Sequence, residues 1–399
     1  MIDLRATASA AAIASLLSGL AGCGGRGRSG DVAAVDRRAP SVAAPAAPTV
    51  RPVRPALPRP PRPRRRHTHA LDVYAADRAS RLSPVVRRFP SRIYVPNSTS
   101  NTVDVIDPLR MKVVRHFAVG AEPQHVTPSY DLRTLWVDAD HGNSLTPIDP
   151  RTGRRGKDVP VEDPYNLYFT PGGRYAIVVA EAKQRLDFRD AHSMRLHHAL
   201  HVGCNGVDHM DFSASGRSLI ASCEFGGTMI RVNVARQRVT GTLELGAGSM
   251  PQDVKLAPDG SVFYVADQAA GGVHVIDARR FRVIGLIPTG AGAHGLYASR
   301  DSRFLYVSNR TAGTVSVISF ARRRVARTWR IPNGSPDMGG ISTDGRVLWL
   351  SGRYNGEVYA ISTRTGELLK RIKVGAGPHG LCVYPQPGRY SLGHTGVFR

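Results

Sequence analysis

Seven side chains with chemical potential recur at matched positions of a repeating pattern: His125, Asp208, His209, Asp253, His294, Asp337 and His379. They sit in short segments that read Pro123-Gln124-His125, Pro164-Tyr165-Asn166, Val207-Asp208-His209, Pro251-Gln252-Asp253, Ala293-His294-Gly295, Pro336-Asp337-Met338 and Pro378-His379-Gly380. Imidazole and carboxylate are the groups that ligate divalent metals, move protons or hold polar ligands. Three readings are open for such a set: polar residues of a wet structural rim, a ligand or divalent-metal site, or a catalytic constellation. The residues alone do not fix a cofactor. Ordinary histidines titrate near about pH 6.5, so a metal held by them is expected to bind more weakly at about pH 5 than at about pH 7.5.

Other candidates carry less. Asp107, Asp149, Asp190 and Asp277 each close a Val-Ile-Asp-like run and read as turn formers rather than a carboxylate cluster. Cys204 and Cys223 flank one hairpin, where a disulfide, free thiols and a weakly spaced metal site are all open. Cys382 reads as a small buried residue, and His192, His197, His198 and His201 as surface. No Gly-rich phosphate loop, HExxH or GxSxG stands in a supporting context.

The elements that must position these residues repeat. The residue opening each aromatic-aliphatic run is Tyr94, Trp136, Val178, Ile220, Tyr264, Tyr306 and Trp349, at spacings of 42, 42, 42, 44, 42 and 43. The turn after the apolar strand that follows each run keeps a similar period through Asp131, Gly172, Ser215, Asp259, Asp301, Asp344 and Gln386. A fixed period of about 42 residues made of short strands is the signature of a propeller. Each copy holds four strand-like runs with hairpin turns between them, Asp259-Gly260 and Asp344-Gly345 being the clearest. The fold class expected is all-β: a seven-bladed propeller of four-stranded antiparallel blades.

The repeat resembles the YVTN family of seven-bladed propellers. The resemblance rests on Tyr94-Val95-Pro96-Asn97, Thr102-Val103-Asp104-Val105-Ile106-Asp107, Val119-Gly120 and Pro123, and on Tyr264-Val265-Ala266-Asp267 and Tyr306-Val307-Ser308-Asn309. Copies two and three depart from it at Trp136-Val137-Asp138-Ala139 and Phe188-Arg189-Asp190. The family's blade order puts the strand before the Asp-Gly turn innermost. The chain then starts in mid-blade at Tyr94, and its last strand, Gly380 to Tyr384, supplies the missing inner strand and closes the ring. On that order the His/Asp segments lead into the inner strands and converge on one axial mouth. The architecture also hosts lactonases, lyases and haem-binding domains, so it does not choose a function.

The chain has 399 residues, with 54 Lys+Arg against 31 Asp+Glu and a formal net charge of +23. Its hydrophobic content of 42% excludes wholesale disorder, and four cysteines exclude a disulfide-framework fold. The charge is uneven: residues 24–91 hold fifteen Arg and four acidic residues. Residues 6–22 form a weakly apolar run that fits a secretory signal, ending in Leu20-Ala21-Gly22-Cys23, which resembles the bacterial lipoprotein lipobox. The expected organisation is a signal peptide at 1–22, a disordered, lipid-anchored Pro/Ala/Arg-rich tether at 23–91 and the propeller at 92–399. The expected address is the outer face of the bacterial cell membrane, with lipidation at Cys23. No aromatics interleave the arginines of residues 24–70, so nucleic acid is not the expected partner. The function expected is a monomeric binding or scaffolding module at the envelope, meeting an envelope protein or polymer. The alternatives are an enzyme of lactonase or lyase type and polyanion binding through the tether.

Overall fold

Alternating β-branched and aromatic residues between Gly, Asn and Asp turns favour short antiparallel hairpins. The computed structural model describes residues 71–394 and 397–399. In it, these hairpins form seven antiparallel sheets, the blades of a propeller. Six sheets have four strands in simple order. The outermost strand of blade 2 comes in two pieces, Arg154–Arg155 and Val159–Pro160, both paired with Ser144–Asp149. That break falls in one of the copies that depart from the repeat. Among the described residues the only helical element is the single turn Glu224–Gly226, and none is long and apolar enough to cross a membrane.

The ring closes as the repeat requires. Cys382–Tyr384 is the inner strand of blade 1, pairing Arg92 with Tyr384, Ile93 with Val383 and Tyr94 with Cys382. The other inner strands are Pro123–Pro128, Asn166–Phe169, Val207–Phe212, Pro251–Leu256, Ala293–Ala298 and Pro336–Ile341. Each blade packs both faces on neighbours, so strands such as Val262–Asp267 are buried at every position. Apolar clusters fill the blade interfaces; Tyr306, Trp329, Leu348 and Tyr359 join blades 6 and 7. Polar residues caught in these strands find partners. Asn97 Nδ2 donates to Thr102 and Asp104, and Asn309 Nδ2 to Thr314 and Ser316, which pins the loop at the mouth of each blade.

The end opposite the mouth is covered by both ends of the described chain. Residues 71–91, assigned to the tether from their composition, pack on the propeller instead. Tyr74 is buried and donates its hydroxyl to Leu256 O at 2.7 Å, and Asp77 pairs with buried Arg300 at 2.5 Å. Val86 is fully buried beside Phe398. This segment carries apolar anchors between its arginines, which average composition conceals. The tail beyond Tyr384 turns inward beside blade 3: Phe169 N donates to Leu392 O and His394 N to Leu167 O. Gly393 is required there, because a Cβ would lie 2.4 Å from Leu167 O and its φ is +103°. Arg399 anchors the terminus on Asp211 at 2.9 Å. The signal peptide, Cys23 and the rest of the tether lie outside the described residues.

Candidate functional site

Four inner-strand segments bring His125, His209, His294 and His379 to the axis as a four-membered circuit. Neighbouring ring centroids are 5.5, 6.0, 5.7 and 5.0 Å apart, from His125 through His209, His294 and His379 back to His125. A fifth imidazole, His394, enters from the tail and lies 4.7 Å from both His125 and His209. Room for this packing is made by Gly380, where a Cβ would lie 2.0 Å from the His125 ring. The expected wet rim is therefore corrected. All seven predicted residues, His125, Asp208, His209, Asp253, His294, Asp337 and His379, are at most 2% exposed. They lie inside the channel, below the mouth, because the termini fill the far end and the imidazoles pack on one another.

The carboxylates divide by role. Asp337 is the ionic hub: it holds His379 Nδ1 at 2.7 Å, lies 3.3 Å from His294 Nδ1, and pairs with Arg310 at 2.7 Å. Burial pushes its pKa up, but Arg310, His294 and Arg353 outweigh that and hold it below the ordinary carboxylate range. Asp208 Oδ1 sits 2.5 Å from His209 Nδ1 but off the line of a hydrogen bond. Burial and the nearby Asp253 drive the Asp208 pKa well up. Asp253 does not face the imidazoles as a ligand. Its oxygens accept Val254 N and Leu296 N, both at 2.8 Å, tying blade 5 to blade 6. Asp211 ties blade 4 to blade 5 in the same way, through Leu256 N.

The histidines are neutral. Burial depresses His125, His294, His379 and His394 well below the ordinary histidine value and brings His209 down to about 4. The expectation of a site titrating near pH 6.5 is corrected on the same ground. His125 Nδ1 lies 2.9 Å from Tyr165 O, so that nitrogen carries the proton and Nε2 keeps its lone pair. Nε2 of His125 and Nε2 of His209 are both buried without a hydrogen-bond partner. One ring nitrogen each from His125, His209 and His394 lie within 4.8 Å of one another. A tetrahedral metal with bonds of about 2.0–2.1 Å spaces its nitrogens roughly 3.4 Å apart, so movements of an ångström or so complete the triad.

Above the histidines the mouth is acidic on one side and basic on the other. Burial raises Glu181 to about 9 and Glu224 and Asp140 to about 7. Across from them stand Arg310 and Arg353. Surface cavities of 290–570 Å³ lie between blades and on the outer strands, lined by residues such as Thr311, Arg330 and Tyr306 rather than by the channel histidines.

The remaining candidates fall where expected. Asp107, Asp149, Asp190 and Asp277 accept amide hydrogens of their own turns. Cys204 and Cys223 form a disulfide, and Cys382 is a buried free thiol. His192, His197, His198 and His201 are exposed, His197 stacking on Tyr175. The sequence reading missed His394 and Arg310 as parts of the site, and gave Tyr165, placed in one of the converging segments, no role. His394 lies beyond the last repeat, so no period marks it; its only signal is a Gly-His-Thr-Gly run of the kind that permits a tight inward turn.

The family profile of YNCE-like beta-propellers matches residues 76–388. The chain belongs to the YNCE-like beta-propeller family. Solved structures share the fold at low identity. Hydrazine synthase of Kuenenia stuttgartiensis is 18% identical with a TM-score of 0.61, covering 72% of this chain and 98% of that one. The periplasmic gluconolactonase PpgL of Pseudomonas aeruginosa is 20% identical with a TM-score of 0.62, covering 74% and 99%. The dihydro-heme d1 dehydrogenase NirN is 16% identical with a TM-score of 0.57, covering 75% and 77%. No curated protein matches the chain in sequence. At these identities the likeness is one of fold, and the neighbours' different chemistries leave this propeller's own site to decide its role.

Proposed function

We propose that this propeller is a binding module of the cell envelope whose ligand is a divalent transition metal ion, held in the axial channel by His125, His209 and His394. The observation that carries the reading is the pair of buried, unpartnered Nε2 atoms on His125 and His209, two of the three histidines that bring one ring nitrogen each within 4.8 Å of one another. Orphaned buried acceptors cost free energy that a metal ion would recover. Imidazole nitrogens suit zinc, copper, iron and nickel, and neutral rings need lose no proton to bind them. His379, oriented by Asp337, and His294 stand near the triad as further imidazoles. The lactonase or lyase alternative is less well supported, because general-base histidines need contact with substrate and these are buried.

The envelope address is part of the proposal. A disulfide between Cys204 and Cys223 suits an oxidising compartment, and the lipobox-like run ending in Cys23 suits lipid anchoring. Cys23→Ser should abolish acyl labelling and release the protein from the membrane pellet; unchanged retention would reject the anchor.

The metal reading is tested by measuring the metal content of full-length protein purified without chelator, then titrating stripped protein with Zn²⁺ and Co²⁺. Stoichiometric binding, with a Co²⁺ absorption band of a tetrahedral nitrogen site that His125→Ala and His209→Ala abolish, is expected. Absence of binding, or binding unchanged in both variants, would overturn it.

A further inference from the structure

The two ends of the propeller differ sharply in charge. At the mouth, the loops joining the second and third strands of each blade, with the connections into the inner strands, hold six acidic residues and three basic ones. At the opposite end, each of the seven turns between the third and outermost strands carries at least one exposed arginine, from Arg110 in blade 1 to Arg364 in blade 7. Blades 5 and 6 each carry two, Arg279 with Arg280 and Arg322 with Arg323. The aspartates that open four of these turns accept turn amides, and Asp149 and Asp277 also pair with Arg151 and Arg280; Arg110, Arg279, Arg322 and Arg364 carry the outward charge.

Two further observations bear on what this end meets. The described chain begins here, with Val73 N bonded to Pro258 O. Residues 24–70, with eleven of the fifteen leader arginines, are therefore joined to the arginine-bearing end. Leu109, beside Arg110, is 92% exposed, and Leu71 is 55% exposed at the same end. The large aromatics that stand most exposed, Phe225 and Tyr354, belong to loops at the mouth. A ring of cations with an exposed aliphatic side chain in one of its turns matches a bilayer surface, whereas binding of single-stranded nucleic acid calls for aromatic stacking.

We infer that the end of the propeller opposite the mouth is a docking face for an anionic phospholipid surface. Its arginines sit against headgroup phosphates, Leu109 enters the headgroup layer, and the mouth points away from the bilayer. This inference is independent of metal binding and of acylation at Cys23.

The test uses the full chain carrying Cys23→Ser, so that no acyl group contributes, in flotation with vesicles. Vesicles of phosphatidylcholine with about one-third phosphatidylglycerol are compared with phosphatidylcholine alone, at low and high salt. Surface arginines near an anionic membrane each contribute about fivefold in partitioning, screened by salt. Replacing Arg110, Arg279, Arg322 and Arg364 together by Ser should lower partitioning to anionic vesicles by about 600-fold at low salt, and Leu109→Ser by severalfold. A second variant with Arg51, Arg54, Arg59 and Arg62 changed to Ser keeps the face intact and should retain most binding. An unchanged melting temperature in each variant shows that the fold is kept. Wild-type binding by the four-turn variant, with loss in the leader variant, would overturn the inference. So would tighter binding of duplex DNA than of vesicles, abolished by the same four substitutions.

Discussion

If the triad holds the metal, the ligand that comes from outside the repeats should matter more than one that comes from inside them. His394 contributes a nitrogen to the triad, whereas His294 lies outside it, its ring 6.0 Å from His209. A structural zinc site of four ligands is worth roughly 10–16 kcal/mol at neutral pH, or roughly 3 kcal/mol per ligand. His394→Ala should therefore weaken Zn²⁺ binding by about 100-fold, and His294→Ala roughly tenfold less. Affinities come from competition against a chromophoric chelator, with Co²⁺ absorption reporting coordination. Both residues are buried, so thermal melts in excess chelator separate lost packing from lost ligation. A His394→Ala variant that binds like the wild type, beside a His294→Ala variant that does not, would refute the triad and move the centre into the four-membered circuit.

Zn²⁺ affinity should change little between about pH 7.5 and about pH 5.5, because burial already holds His209 near about 4 and its neighbours well below the ordinary value; free histidines would lose about tenfold each. Without metal the same depression makes stability fall as pH drops below about 6.5, since the unfolded histidines take up protons first, and melts in chelator across that range check it. Glu181, raised to about 9, has the opposite sign: its contribution is lost as pH rises, so Glu181→Gln should melt higher than wild type at about pH 8 and alike at about pH 4. Changing Cys204 and Cys223 together to Ser should cost about 3 kcal/mol, read from the urea midpoint, for a bridge spanning 19 residues. Deleting residues 379–399 strips the inner strand from blade 1 and should abolish cooperative melting, whereas deleting residues 24–70 should leave the transition in place.

The blades were legible because hairpin grammar is local. Tyr-Val runs, Asn at the loop and Asp-Gly at the far turn each act within one copy, and seven copies repeat the statement. Closure was legible because a half-blade at Tyr94 demands a partner strand. Side-chain depth was not legible. His125 and His379 occupy positions that look like a rim in a linear reading, but whether water reaches them depends on what fills the axis. That filling comes from residues 71–91, 387–394 and 397–399, which lie outside the period and whose packing depends on contacts far apart in sequence, such as Asp211 with Arg399. Asp253 shows the other limit: its residue type suggested ligation, and only the position of Leu296 N reveals a strap.

The division between straps and imidazoles explains how a symmetric fold carries an asymmetric site. A buried carboxylate near the axis is costly unless backbone donors satisfy it. Asp211 and Asp253 meet that condition by accepting amides of their own and adjoining inner strands. Asp337 meets it differently, by an ion pair with Arg310 and a hydrogen bond from neutral His379. Histidine escapes the cost by staying neutral, and a neutral ring with one nitrogen committed still offers a lone pair on the other. His125 does this, with Nδ1 on Tyr165 O and a buried, unpartnered Nε2. The tail then closes the channel from below, so an ion would approach past Glu181 and Glu224 at the mouth. A membrane against the arginine turns would leave that approach open, because the mouth and the docking face are opposite ends of one axis.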